Sequence, residues 1–214
     1  MYRIKELFYS LQGEGAQSGR PAVFCRFSGC NLWNGLEEGR GEAVCRFCDT
    51  NFSGTDGKGG GIYPDPRKLA HVAVGIWPVQ LLRQSWARPF IVLTGGEPLL
   101  QVDDPLLAEL HSAGFEIAVE TNGTRQVPKE IDWISVSPKA GTELVQRRGN
   151  ELKLVFPQEG VDPASFLGLP FDHFYLQPLD DSRREDNTKK TVSYCLENPR
   201  WRISVQLHKY LGIA

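Results

Sequence analysis

Short apolar runs, each long enough for one strand, recur at residues 22–27, 90–94, 115–120, 133–136, 151–156, 173–177 and 202–206. Helix-like segments separate several of them. Asp103-Asp104-Pro105 opens one such segment; Leu106, Leu107 and Leu110 share its face, and Gly114 is placed to end it. Residues 187–197 form a second, stopped by Asn198-Pro199, and residues 66–76 a third. Strands alternating with helices predict βαβ units and a parallel sheet. Seven runs fall short of a closed eight-stranded ring. The expectation is an α/β fold, a partial and open parallel (βα) barrel. At 214 residues, 41% of them hydrophobic, the chain can bury one sizeable core, so residues 1–214 read as a single domain.

In parallel sheets chemistry gathers at the carboxyl ends of the strands. Four of the runs end there in polar or glycine-bearing tips: Thr94-Gly95-Gly96-Glu97-Pro98, Glu120-Thr121-Asn122-Gly123, Ser137-Pro138-Lys139 and Gln177-Pro178. One such tip alone is a turn. Four on one rim predict a ligand-lined mouth. Two stretches stand outside the pattern. The glycine-rich residues 54–61 read as a mobile loop or linker. Residues 31–44, with Gly35, Gly39, Gly41, three glutamates and Arg40, read as a surface excursion or short helix.

Charge and hydropathy exclude several classes. The net charge is −2 with both signs mixed along the chain, and no basic stripe suggests a nucleic-acid partner. No apolar run approaches the ~20 residues of a membrane span, and Met1–Glu6 lacks the apolar region of a signal peptide. These readings predict a soluble, cytoplasmic protein. Among the five cysteines, Cys25 alternates within a strand pattern and Cys195 shares a helical face with Val192 and Leu196, so both are expected in the core. Cys30, Cys45 and Cys48 differ, spaced by fourteen residues and then two. In a reducing compartment such spacing reads as metal or redox chemistry. Three thiolates can hold three corners of an iron–sulfur cube and leave the fourth iron open, or bind zinc with an added ligand such as His71 or His208.

The three-cysteine loop, Phe47 beside its last cysteine, and Gly95-Gly96-Glu97-Pro98 resemble the radical S-adenosylmethionine enzymes. The ordered set Leu11-Gln12-Gly13-Glu14-Gly15, Phe24-Cys25-Arg26-Phe27, Cys48-Asp49-Thr50, Glu120-Thr121-Asn122-Gly123, Ser137-Pro138-Lys139 and Gln177-Pro178 narrows this. Over nearly the whole chain it resembles the 7-carboxy-7-deazaguanine synthases of the 7-deazapurine (queuosine) pathway, some of which carry the same insertion at residues 31–44.

That resemblance implies a [4Fe-4S] cluster on Cys30, Cys45 and Cys48, with S-adenosylmethionine on the open iron. The S-adenosylmethionine contacts it implies are Phe47, Gly95, Gly96, Glu97, Glu120, Asn122, Ser137, Pro138, Lys139 and Gln177. Thr50 matches the family's Mg2+ ligand, which suits an ion that takes few protein oxygens. Leu11, Gln12, Gly13, Glu14, Arg26, Thr94 and the terminal carboxylate of Ala214 would take the pterin-like substrate, 6-carboxy-5,6,7,8-tetrahydropterin. Arg26 would bring a fork suited to its carboxylate. The implied reaction abstracts the substrate's C6 hydrogen with a deoxyadenosyl radical, contracts the ring and releases ammonia, with the cofactor used catalytically. A homodimer and a one-electron donor such as a flavodoxin are implied partners. The tail 208–214 is expected to fold back over the mouth, anchored by Tyr210, Leu211 and Ile213. Two other readings stand beside this one: a glycyl-radical-type activase, and a non-catalytic zinc-stapled binding module.

Overall fold

The structure, a computed structural model, describes residues 1–82, 84 and 86–213. In chain order the elements are β1 (Tyr2–Leu11), β2 (Pro21–Phe27), β3 (Gly61–Tyr63), α1 (Pro66–Ile76), β4 (Phe90–Gly95), α2 (Asp104–Ser112) and β5 (Glu116–Thr121). There follow β6 (Trp133–Val136), β7 (Gly149–Phe156), β8 (Phe171–Pro178), α3 (Arg184–Glu197), β9 (Trp201–Ile203) and α4 (Leu207–Leu211). Among the described residues they form one open sheet ordered β3-β1-β2-β4-β5-β6-β7-β8-β9. No helix among these residues is long and apolar enough to cross a membrane.

From β2 to β9 every neighbouring pair is parallel, and these seven strands are the seven runs expected from sequence. The last run is shorter than expected, ending at Ile203 instead of residue 206. The helices start where capping chemistry allows. Asp65 accepts from the amide of Lys68 at 2.9 Å with Pro66 behind it, and Asp103 accepts from Leu106 at 3.1 Å, each satisfying an amide that the first turn leaves unpaired.

Two-residue alternation divides the sheet into an outer and an inner face. On the outer face Val23, Cys25, Phe27, Ile91, Leu93, Ile117 and Val119 pack with Leu69 and Ala73 of α1 and with Leu106, Leu107 and Leu110 of α2. Leu152, Leu154, Phe174, Leu176 and Trp201 form a second outer cluster, touched by Tyr194 and Cys195 of α3. Each fully buried leucine here contributes about 1.5–3 kcal/mol relative to exposure. On the inner face Ala22, Phe24, Phe90, Val92 and Ala118 plug the amino-terminal end, with Phe8 stacked on Phe24 at 5.2 Å. The polar residues nearer the carboxyl ends are left lining an open mouth.

Four expectations need correcting. β1 was not anticipated: the longest strand pairs antiparallel with β2 and with β3. Residues 54–61 are not a free linker but lie along the edge of β1, where Gly57 donates to Lys5 O at 2.9 Å and Leu7 to Lys58 O at 2.8 Å. A Cβ on Gly60 would stand 2.3 Å from Lys5 O, so the glycines here serve close backbone contact. On α3 the buried residues are Asn187 and Thr191, while Val192 and Leu196 face solvent; Cys195 is half-buried rather than central. Finally, Tyr210, Leu211 and Ile213 are all exposed, so they do not anchor the tail.

Candidate active site

The carboxyl ends of the strands surround a cavity of about 380 Å³. One wall belongs to the loop after β2. Cys30, Cys45, Cys48, Phe47 and Thr50 all line the cavity. The insertion supports this wall with a small core of its own, in which Trp33, Ala43 and Phe52 pack against Cys30 and Cys48. Its short helical stretch, Glu37–Glu42, carries Arg40. The Arg40 guanidinium lies 4.1 Å over the Trp33 ring and donates to the carbonyls of Arg46 and Cys48, each at 3.0 Å. That one side chain fixes the turn on which two cysteines sit.

The thiols feel one another. The nearness of Cys45 draws the Cys48 thiol below its ordinary pKa, and the nearness of Cys48, with burial, pushes Cys45 up. Among the described residues no three His, Cys, Asp or Glu side chains close on a common point as ligands of one metal ion do. The donor set nonetheless suits a thiolate-held cluster, since three cysteines share one wall with the half-buried Lys139 ammonium acting electrostatically on Cys45 and Cys48. Of the two histidines considered as extra zinc ligands, His208 lines the cavity, whereas His71 lies exposed on α1.

The opposite wall is a polar network on the inner face. Gln12 donates to Glu120 Oε1 at 3.0 Å, and Thr94 donates to Glu120 Oε2 at 2.8 Å. Gln177 donates to Glu14 Oε1 at 3.1 Å, while Lys153 donates to Glu14 Oε2. Lys153 also stands 3.8 Å from Glu120. Arg26 points into the cavity, on the face opposite Cys25 as strand alternation requires; its Nε donates to Glu6 at 2.8 Å and its guanidinium lies 5.8 Å from the Phe8 ring. Burial pushes Glu120 up, but Lys153, Thr94 and Gln12 outweigh it and hold its carboxyl below the usual range.

At the rim, Gly95 and Gly96 let the end of β4 pass beneath the cysteine loop. A Cβ on Gly96 would lie 2.0 Å from Gly29 O and 3.0 Å from the Cys30 Cβ, and Gly95 sits at φ +124°. Glu97 is fully buried and does not line the cavity; it accepts from Thr121 Oγ1 and Asn122 N, both at 2.8 Å, and so ties β4 to β5. Asn122 donates to Asn31 at 3.0 Å, linking the β5 tip to the cysteine loop. Lys139 donates to the carbonyl and hydroxyl of Ser137, at 2.7 and 2.6 Å, and burial lowers its pKa.

The structure thus brings most of the sequence-selected residues around one cavity: Leu11, Gln12, Gly13, Glu14, Arg26, Cys30, Cys45, Phe47, Cys48, Thr50, Thr94, Gly95, Gly96, Glu120, Asn122, Ser137, Lys139 and Gln177. Glu97 and Pro138 stay outside the lining, and Ala214 lies outside the described residues. The tail does reach the mouth, through His208 and Lys209 of α4, and Leu207 donates to Gly13 O at 2.9 Å. Sequence reading missed Glu6, Phe8, Ser135 and Lys153. A signal for Lys153 existed: in Glu151-Leu152-Lys153-Leu154 the charged residues alternate with leucines, which puts both charges on the inner face.

No protein-family model matches the chain. Similar proteins are known nonetheless. The 7-carboxy-7-deazaguanine synthase of Burkholderia multivorans is 54% identical over 212 residues, 99% of each chain. That of Bradyrhizobium diazoefficiens is 55% identical over the same length and coverage. That of Bacteroides thetaiotaomicron is 41% identical over 213 residues, covering 100% of this chain and 99% of the relative. Among solved structures, QueE from Escherichia coli superimposes with a TM-score of 0.65 at 28% identity, covering 97% of this chain and 94% of that one.

Proposed function

The chain belongs to the 7-carboxy-7-deazaguanine synthase family of enzymes, and from that premise we propose that its cavity carries out radical ring contraction of 6-carboxy-5,6,7,8-tetrahydropterin with loss of ammonia. The observation that supports this most is the meeting of two unlike walls across one small cavity. Three cysteines stand on one side, and a carboxylate, amide and guanidinium network stands on the other. Neither a zinc-stapled binding module nor an activase of protein substrates accounts for both walls.

In this reading Cys30, Cys45 and Cys48 hold a [4Fe-4S] cluster, and Ser137, Lys139, Asn122 and the Gly95-Gly96 backbone border the S-adenosylmethionine beside it. Once bound, these groups supply reductive cleavage of a sulfonium C–S bond and hydrogen-atom abstraction from the substrate. Everything else falls to the chain. Arg26 pairs with the substrate carboxylate through its planar fork. Glu14 and Glu120 accept from the N–H groups of the pyrimidinone edge, while Gln12, Thr94 and Gln177 orient those carboxylates. Glu120 and Gln177, expected from sequence to touch S-adenosylmethionine, are assigned to the substrate side in this reading because their hydrogen bonds run to Gln12, Thr94 and Glu14. The Thr50 hydroxyl is a hard oxygen suited to Mg2+ that keeps most of its waters. α4, laid over the mouth, excludes water and stray hydrogen donors. The enzyme would work in the cytoplasm as a homodimer, drawing electrons from a flavodoxin-like carrier.

The test is anaerobic reconstitution with iron and sulfide, followed by reductant, S-adenosylmethionine, Mg2+ and the tetrahydropterin. Formation of 7-carboxy-7-deazaguanine with ammonia release is the expected result. Cofactor cleavage without either product would reject this substrate.

A further inference from the structure

Lys153 is given no role in the proposed reaction above, yet within the polar wall it pairs with two of its carboxylates. It projects from the inner face of β7, buried to 7% exposure, with the leucines on either side turned outward. Its ammonium donates to Glu14 Oε2 and lies 3.8 Å from Glu120 Oε1. Glu14 comes from the loop after β1 and Glu120 from β5, so one cation joins two carboxylates from distant parts of the chain. Burial alone would lower a lysine, but here the carboxylates outweigh it and raise Lys153, with Glu14 and Glu120 acting most strongly.

We propose that Lys153 is a positioning residue that keeps Glu14 and Glu120 as a pair of carboxylate acceptors facing the cavity, ready for the N–H-bearing edge of an aminopyrimidinone ring. The proposal rests on the substrate reading above and adds the element that makes the acceptor pair possible. A carboxylate is acceptor-only while ionised and becomes a donor on one oxygen once protonated. Two carboxylates crowded together without a cation shed their repulsion by taking up a proton, and one acceptor is lost. Lys153 prevents this. The remaining charges cannot replace it. Arg26 on β2 also acts on Glu120, but more weakly than Lys153, and its Nε is engaged by Glu6 of β1 at 2.8 Å; Lys139 after β6 is bonded to Ser137. Glu151 of β7 adds a further negative charge, although its Oε2 accepts from Ala16 at 2.8 Å. Tyr175 of β8 lies beside Lys153 in register, and His208 of α4 closes over Gly13.

The test compares Lys153→Met and Lys153→Arg with the unchanged chain, all as anaerobically reconstituted protein. The probe is 6-carboxypterin, which has the same ring edge and carboxylate and does not react. Equilibrium dialysis across mildly acidic to mildly alkaline pH should show Lys153→Met binding about tenfold more weakly at neutral pH, with the loss relieved as pH rises. Lys153→Arg should keep the unchanged chain's pH profile; should Lys153→Met not fold, a displaced profile in Lys153→Arg overturns the proposal. Infrared spectra give a second readout that needs no ligand. Lys153→Met should show, in difference from the unchanged chain, an added protonated-acid carbonyl band at neutral pH, removed by adding Glu14→Gln or Glu120→Gln. Absence of that band, or a loss of binding equal at every pH, overturns the proposal. If the unchanged chain itself fails to bind 6-carboxypterin, the substrate reading falls, and the infrared band still decides the role of Lys153.

Discussion

Lys209 Nζ lies 2.7 Å from Asp49 Oδ2, so the last helix is fastened to the residue that follows the third cysteine of the loop. The same ammonium reaches Asp180 Oδ2 at 2.5 Å, and Gln206 donates to Asp49 at 3.1 Å. Tail, cysteine loop and β8 tip therefore meet at one cation. Burial pushes Asp49 up, but the bonds from Lys209 and Gln206 outweigh it and leave its carboxyl below the usual range. A depressed carboxyl stabilises above its unfolded pKa, and that contribution is lost as pH falls through the folded one. The clasp should hold at neutral pH and open in acid. These partners are part-exposed, so Lys209→Met should cost about 1 kcal/mol or less. Amide exchange of Leu207–Leu211 should then speed up by up to about fivefold at neutral pH; unchanged exchange would show that the clasp does not hold the tail.

Cys30→Ala, Cys45→Ala and Cys48→Ala should each abolish iron incorporation and turnover, read by iron content after anaerobic reconstitution. Cys25→Ala and Cys195→Ala should retain both. Cys25 is buried in the outer core and should lose about 1 kcal/mol of stability, and the half-buried Cys195 should lose less. Near-normal iron in any of the first three variants would remove that residue from the ligand set.

Thr50→Val replaces a hydroxyl with a methyl at nearly constant shape. The variant should keep its cluster and lose stimulation by Mg2+. A titration with Mg2+ that matches the unchanged chain would make Thr50 a turn residue.

Arg26→Lys keeps the charge and loses the planar fork. The substrate KM should rise by about tenfold, the worth of one weakened charge-assisted pair. Cofactor cleavage without substrate should change little. The opposite order of effects would take Arg26 away from the substrate carboxylate.

Glu97→Gln tests a structural role against cofactor contact. Its Oε2 accepts from Asn122 N, and an amide NH2 in that place would set donor against donor. The expected loss is about 1–3 kcal/mol of stability, with the affinity for S-adenosylmethionine preserved in the folded fraction. Burial raises the Glu97 pKa, so ionising it costs stability, and that cost grows as pH rises from the unfolded to the folded pKa. Gln cannot ionise, so the gap between the two proteins in thermal unfolding should narrow as pH rises through that window. A gap that widens instead would contradict the assignment.

The parallel part of the sheet was legible because each of its strands is a short apolar run with a polar tip. β1 was not, and the reason is physical. The register of β1 against β2 shifts between Ile4 and Glu6, so Ile4 and Lys5 are both buried and Ile4 and Leu7, three apart, share the outer core. A bulge of this kind defeats a search for two-residue alternation. Losing β1 also meant losing Glu6 and Phe8 from the cavity wall. β3 is three residues long and carries no pattern of its own, so only its pairing with β1 identifies it. Glu97 was misleading in another way: Gly95-Gly96-Glu97-Pro98 marks the rim, but the glutamate turns inward to Thr121 and Asn122 while the glycines make room for the cysteine loop. The tail's polar fastening needed partners from residues 49 and 180, which no local pattern brings together.

Among the described residues no ladder of paired strands joins β9 at one edge to the β1 side of the sheet, and the segment after β1 spans the gap. Gly15 donates to Ser204 Oγ at 3.0 Å, Ala16 to Glu151 at 2.8 Å, and Leu207 to Gly13 O at 2.9 Å. A ring stitched by a few separate bonds behaves unlike one closed by a ladder. Each of these bonds can part without shifting the register of any strand, at about the net worth of one hydrogen bond apiece. Glu14 adds two more ties across the same gap, from Lys153 and Gln177, so the seam is held mainly by side chains of the polar wall. Because Gln12 and Glu14 ride on the same segment, any shift of the seam would carry two groups of the polar wall with it, so the closure of the ring and the order of that wall stand or fall together.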